Sequence, residues 1–264
     1  MRADVHQVVT FATEPFHGNP AFVLSLERDV PDEVLQQVAA QLNESVLASL
    51  RPMGKDRAGL LFHTPTGRHG GAGHAMMAAA HVELGRDAGS RRKVVFALAD
   101  ASECVVIRDG ARISVPWPVM PASAVDMVAV LSAALGRAAV ETWEAPFGYV
   151  AIYADPASIE ALNPDMDAIA RLDRGTVIAT APGKTSDFVI RVFAPKLGLP
   201  EDPVCGTAHR IVVPYWAERF QRYELHSRQL SRRGGDLWCR LDGDRVVISG
   251  ESVTFLNGAI ELPD

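Results

Sequence analysis

One short pattern occurs twice in this chain and constrains the fold more than any other feature. LFHTP at 61–65 is a strand-like run closed by proline, and a loop carries it into the apolar run AGHAMMAAA at 72–80. RVFAP at 191–195 closes in the same way, and a longer loop leads into CGTAHRIVV at 205–213. Each copy therefore gives strand, proline, loop, then glycine and a polar residue opening an apolar helix. Matching helix starts in two halves point to a site that they share. A helix start leaves several backbone N–H groups without partners and carries partial positive charge. Glycine there lets a ligand come close to the backbone. Two such starts, at Gly73-His74 and Gly206-Thr207, would hold a carboxylate without Arg or Lys, which predicts a small acid such as an amino acid as substrate. The competing reading is that both glycine pairs are only caps.

The rest of the chain fits two halves. Strand-like runs at 5–11 and 21–26 flank the turn-rich EPFHGNP, residues 14–20. Asp32 sits at the start of a helix over 30–43, in which Val34, Leu35, Val38, Ala39 and Leu42 recur at helical spacing. Strands at 46–50 and 58–63 precede a glycine-rich loop at 67–73 and a buried helix at 74–84. Strands at 93–98, 102–107 and 111–116 follow. PWPVMPAS at 116–123 has three prolines and reads as a linker. Beyond it the sequence predicts a helix at 124–137, a strand at 146–153, a helix at 157–171 and strands at 175–180 and 187–193. A helix at 207–219 and closing strands complete the chain. The domains expected are 1–118, joined by a returning strand from about 250–264, and 119–249.

The formal net charge of −6 disfavours a nucleic-acid partner, and the longest basic run is Arg91-Arg92-Lys93. No apolar stretch suits a membrane span and no leader-like segment opens the chain, so a cytoplasmic protein is expected. Cys104, Cys205 and Cys239 are too few and too scattered for a disulfide framework or a zinc site, and His74 and His81 share a helical face without a third ligand. No metal is expected.

Several stretches together resemble the PhzF-like isomerases of phenazine biosynthesis, within the diaminopimelate epimerase and proline racemase superfamily. PFHGNPAFV (15–23) is similar to the family's F-x-GNP-x-x-V, and LNES (42–45) to its N-x-S-E region. AGHAMMAAA is similar to AGH-[AP]-x-x-G-x-A. The most specific match is RVFAPKLGLPEDPVCGTAH, similar to R-x-F-[AS]-P-x-x-G-x-x-EDP-x-TG-[ST]-A; SGESVTFLNGAIEL (249–262) resembles the family's closing segment. The resemblance implies an α+β fold of two similar domains, each a β-barrel-like sheet around a central helix, with the site in the cleft between them. It implies proton transfer without a cofactor, on a small-molecule carboxylate, by a homodimer.

Carried over residue by residue, the resemblance puts Gly73, His74, Gly206 and Thr207 on the substrate, with His74 and Asp202 moving the proton. The family's main acid/base, the Glu of N-x-S-E, falls on Val46, which accepts no proton. Glu44 shares a face with residue 46 on a strand and diverges from it on a helix, so it is either a substitute base or an exposed carboxylate. Ser45 and Val46 would then line the substrate pocket. Where the family usually has Glu before its AGH loop, this chain has Arg68; either it or His69 meets a substrate carboxylate, or both are solvated. Superfamily racemases place a cysteine at each helix start, whereas here the residues are Ala72 and Cys205. Cys205 is thus either a one-sided base activated by the helix start or a small packed residue beside the site. His17, in the GNP turn, is within reach of the expected cleft. The reaction expected is double-bond migration on a small unsaturated or cyclic amino acid in secondary metabolism, such as an alkylproline precursor. The alternatives are a silent carboxylate-binding homologue and a Cys205-dependent epimerase.

Overall fold

The structure is a computed structural model of the 264-residue chain and describes residues 1–43, 45–86 and 89–263. In chain order the first elements are β1 (Arg2–Thr10), β2 (Asn19–Ser25), α1 (Asp32–Gln41), β3 (Leu47–Pro52), β4 (Arg57–Thr64), β5 (Gly67–His69), α2 (Gly73–Gly85), β6 (Lys93–Ala97), β7 (Glu103–Asp109) and β8 (Arg112–Pro118). There follow β9 (Ser123–Ala124), α3 (Val128–Leu135), β10 (Glu141–Ala145), β11 (Gly148–Ile152), α4 (Pro156–Glu160), α5 (Met166–Arg171), β12 (Val177–Pro182) and β13 (Phe188–Phe193). The chain closes with α6 (Gly206–Phe220), β14 (Glu224–Gln229), β15 (Gly235–Asp242), β16 (Arg245–Gly250) and β17 (Ser252–Glu261). Two compact units result: Met1–Pro116 with Ser249–Asp264, and Trp117–Ile248.

The same pairing scheme runs through both units. In the first, β1–β2 is antiparallel, β2–β3 parallel, β3–β4 antiparallel, β4–β6 parallel and β6–β7 antiparallel. In the second, β10–β11, β11–β12, β12–β13, β13–β14 and β14–β15 repeat that alternation. The long helix enters at the same place each time, between the fourth strand of the scheme and the fifth. The short pattern of the sequence is thus the visible part of a duplicated topology. β17 returns to the first unit by running antiparallel to β1.

Each long helix is the core of its unit. α2 buries residues 75–80, Glu83 and Leu84, and it packs against β1, β2, β3, β4, β6 and β17. A helix without a polar face has to be enclosed, and the sheet encloses it. Glu83 is tolerated there because Arg86 and Arg91 donate to its carboxylate at 2.7 and 2.6 Å. α1 lies elsewhere on the sheet, burying Leu35 and Ala39 with Leu24 and Leu47. The β1–β2 turn needs Gly18: its φ is +62°, and a Cβ would stand 2.1 Å from the Thr10 carbonyl oxygen.

α6 is held by aromatic packing. The Trp216 indole N–H donates to Thr180 Oγ1 at 2.9 Å, and its ring stacks with Phe188 and Phe220. Pro214 lies inside this helix. Proline has no N–H, so the Arg210 carbonyl loses its helical donor. The Met120 N–H donates to that carbonyl at 3.1 Å, and Arg210 Nε donates to the Pro118 carbonyl at 2.8 Å. The proline-rich segment 116–123 is therefore fastened to α6 rather than left as a free linker.

Two local expectations are corrected and a third, a strand, is met. The helix expected over 157–171 is two short ones, α4 and α5, each capped by an aspartate that accepts a backbone N–H at 2.9 Å; Pro164 between them forbids a continuous helix. The strand expected at 146–153 is the second arm of a hairpin whose first arm is β10. The glycine-rich loop at 67–73 contains the short strand β5, paired with β4.

Candidate functional site

At the start of α2, Ala72 is the N-cap, in extended backbone, with Gly73 and His74 half-buried behind it. No acidic side chain occupies the first turn. Burial pushes the His74 imidazole down to about 4, and the neighbouring His69 adds to the effect. His74 is therefore neutral above about pH 5, able both to donate and to accept.

Arg68 and His69 are adjacent in sequence and lie on opposite faces of β5. His69 pairs across the ladder with Phe62, and Arg68 with His63; cross-strand partners share a face. The Arg68 guanidinium reaches Asp32 Oδ2 at 2.6 Å, and His63 Nε2 lies 3.0 Å from Asp32 Oδ1. The Arg68 hydrogen bond, with His63 helping, holds Asp32 below the usual carboxylate range. Arg68 is thus engaged with Asp32 at the start of α1. His69 is the member of the pair close enough to influence His74.

Val46 is buried at 8% exposure, two residues before Ala48, and Ser45 is exposed. Glu44 lies outside the described residues. His17 is exposed in the GNP turn. His81, also on α2, lies 3.0 Å by its Nε2 from Thr254 Oγ1, and burial pushes it down to about 4.

At the start of α6, the two acidic residues of PEDP have separate tasks. Glu201 accepts two hydrogen bonds from Arg191, at 2.7 and 3.0 Å, and this forked pair anchors the loop to β13. Asp202 stays near the helix start, its N–H donating to the Val192 carbonyl at 2.9 Å and its Oδ1 accepting from the Val204 N–H at 3.1 Å. Burial pushes Asp202 up to about 6, and the charge of Glu201 adds to this; hydrogen bonds from Cys205 and the Val204 N–H pull the other way. This carboxyl takes up and releases a proton near neutral pH.

Cys205 is the N-cap of α6, the place Ala72 holds on α2. Burial and then the Asp202 charge push its thiol well above the ordinary range, against the weaker pull of the Ala208 and Thr207 N–H groups. The group is a neutral S–H hydrogen-bonded to Asp202, not a thiolate. Cys104 and Cys239 are buried in β7 and β15. Among the described residues no group of three or more His, Cys, Asp or Glu side chains suits a metal ion.

Sequence reasoning missed the polar residues beneath this loop. Ser227 and Gln229 on β14 are fully buried. Gln229 Oε1 accepts the Cys205 N–H at 2.8 Å, and its Nε2 donates to the Asp202 carbonyl at 2.5 Å. His209 Nδ1 donates to the Cys205 carbonyl at 2.7 Å, and its Nε2 lies 2.8 Å from Ser227 Oγ. The signal was present: ELHSRQL alternates, and its inward positions carry Leu225, Ser227 and Gln229, two of them polar.

With this geometry in place, comparison with known proteins is informative. Residues 8–258 match the family of phenazine biosynthesis-like proteins. The chain belongs to this family. An uncharacterized isomerase of Pseudomonas aeruginosa is 37% identical over 264 residues, covering 99% of this chain and all of the relative. A crystal structure of a PhzF-family phenazine biosynthesis protein from Enterococcus faecalis superposes with a TM-score of 0.94 at 32% identity, covering 99% of this chain and all of that one. A probable proline racemase from Agrobacterium radiobacter superposes at 0.63 with 12% identity, covering 99% of this chain and 93% of that one, and shares the fold. The PhzF-like chain is thus an α+β protein of the epimerase and racemase fold.

Proposed function

We propose that this PhzF-like chain is an isomerase that moves a proton, and with it a double bond, on a small unsaturated or cyclic amino acid or carboxylate. The observation that carries the reading is Asp202, a half-buried carboxyl poised at about 6 at the start of α6. As carboxylate it takes a proton from an acidic carbon activated by the adjacent unsaturation. The C–H electrons form the new double bond, and the electrons of the old one accept a proton at the far carbon. The proton that Asp202 gained is returned, so atoms and charge balance. At each helix start taken by itself, Gly73-His74 on α2 and Gly206-Thr207 on α6, the backbone N–H groups suit a carboxylate oxygen, and neutral His74 is able to pass or hold a proton. Asp202 lies next to a neutral thiol, which disfavours a Cys205-dependent epimerase.

Val46 supports an apolar substrate group at the position where the family carries Glu, such as the alkyl group of an alkylproline precursor in antibiotic formation. On the family resemblance the reading extends to a cytoplasmic homodimer. The same Val46 also favours a second reading, a silent carboxylate-binding homologue. Proton exchange followed by NMR in D2O separates the two. The protein is incubated with small unsaturated and cyclic amino acids, including alkylated dihydropyrrole carboxylates, and with Asp202→Asn and His74→Ala for comparison. Deuterium uptake that needs Asp202 supports the isomerase; binding shifts without exchange in any compound support the silent homologue.

A further inference from the structure

The buried face of β14 grips the residue that opens α6 from both sides. Cys205 presents its N–H to Gln229 Oε1 at 2.8 Å and its carbonyl to His209 Nδ1 at 2.7 Å, while His209 rests on Ser227. Gln229 goes further, because its Nε2 donates to the Asp202 carbonyl at 2.5 Å. One amide thus spans the turn from Asp202 to Cys205. Its orientation is fixed by its partners: an N–H on one side demands the oxygen, and a carbonyl on the other demands the NH2. Both Gln229 and Ser227 are fully buried, where an unmet polar group is costly. Within the turn Asp202 Oδ1 accepts the Val204 N–H at 3.1 Å and Ser231 Oγ donates to the Pro203 carbonyl at 2.6 Å, and Gln229 ties the two ends of the turn together from beneath.

We propose that Gln229 is a positioning residue, which fixes the turn from Asp202 to Cys205 and so the place of the Asp202 carboxyl and of the first backbone N–H groups of α6. It touches no substrate. No shorter or less versatile side chain substitutes: leucine offers neither bond, and glutamate keeps the acceptor but gives a donor only when protonated. The proposal rests on the assignment of Asp202 above only for its bearing on catalysis; the clamp itself is testable without turnover.

The test uses the full-length chain and iodoacetamide, with alkylation of each cysteine followed by mass spectrometry. Cys104 and Cys239, buried elsewhere, report any general loosening. Gln229→Leu is expected to speed alkylation of Cys205 about tenfold or more, with the other two cysteines unchanged. Equal acceleration of all three, or none at Cys205, overturns the proposal. Gln229→Glu is the second variant should Gln229→Leu not fold. Its ionised carboxylate opposes the Asp202 carbonyl, so Cys205 reacts faster than in the parent at pH 8. At pH 5 the introduced carboxyl, once protonated, donates to that carbonyl, and the ratio of rates returns towards one. A ratio that does not change with pH overturns the proposal, because a side chain acting only by its volume would give that result. Loss of the clamp with no proton exchange by the parent in any substrate would count against the isomerase reading and leave the positioning role standing.

Discussion

The thiol of Cys205 donates a hydrogen bond to the carboxylate of Asp202, and each group shifts the other. The bond favours the charged form of Asp202, and the charge of Asp202 keeps the proton on sulfur. Only one of the two is thus ionised near neutral pH, and it is the carboxylate. At this helix start the cysteine is therefore a hydrogen-bond donor to a carboxylate rather than an ionised group.

Replacing that thiol tests the relationship. Cys205→Ser keeps an O–H donor and is expected to leave the Asp202 titration close to its parent value. Cys205→Ala removes the donor, so the carboxylate loses support and its pKa rises. The acidic limb of the exchange rate then moves up by on the order of one pH unit. The Asp202 titration, followed by carboxyl carbon NMR, checks the direction; a downward move in Cys205→Ala contradicts it.

Asp202 also links stability to pH. Its pKa rises from 3.8 to about 6 on folding. Below 3.8 both folded and unfolded chains hold the proton, and there is no penalty. As pH rises towards 6 the unfolded chain releases the proton first, so stability falls. Above 6 the loss is complete, at about 2–3 kcal/mol. Asp202→Asn is therefore expected to match the parent near pH 3.5 and exceed it by about 2 kcal/mol at pH 8 in urea unfolding. The same variant is expected to lose about 10²- to 10⁴-fold in proton exchange, whereas parent exchange rises with pH through about 6.

The turn at Gly18 is expected to be intolerant of any side chain. With φ at +62° and a Cβ placed 2.1 Å from the Thr10 carbonyl oxygen, Gly18→Ala must move backbone, not a flexible side chain. A loss of about 2 kcal/mol or more is expected, read as a lower denaturant midpoint.

Much of this was legible in the sequence. The α2 and α6 starts were, because glycine ahead of a largely apolar run marks a helix entry, and the repeat marked the duplicated topology. The opposed faces of Arg68 and His69 were not, because both sit in a glycine-rich stretch whose short strand, β5, exists only through its pairing with β4. Nor was the role of Gln229: a buried glutamine can be recognised from alternation, but its partners lie 24 and 27 residues away in sequence. The split between Glu201 and Asp202 likewise depended on where Arg191 reaches. Local chemistry was readable, while long-range polar pairing needed the fold.

Val46 stands where the N-x-S-E motif that this chain resembles carries Glu. The residue is buried, at 8% exposure. A carboxylate introduced there by Val46→Glu loses water, so its pKa rises and its ionised form costs stability, roughly 2–4 kcal/mol at pH 7 and less at pH 4.5. A group that resists ionisation at pH 7 is also a better matched acid and base at that pH. If the site has kept its family geometry around a missing group, Val46→Glu gains at least about tenfold in exchange on an unsaturated amino acid of the phenazine type, despite its lower stability. If Val46 instead forms a wall for an alkyl group, the variant loses exchange on alkylated dihydropyrrole carboxylates, because the new carboxyl fills and wets that wall. Measuring both substrate classes with one variant at pH 7 separates a vacated catalytic position from a remodelled specificity pocket.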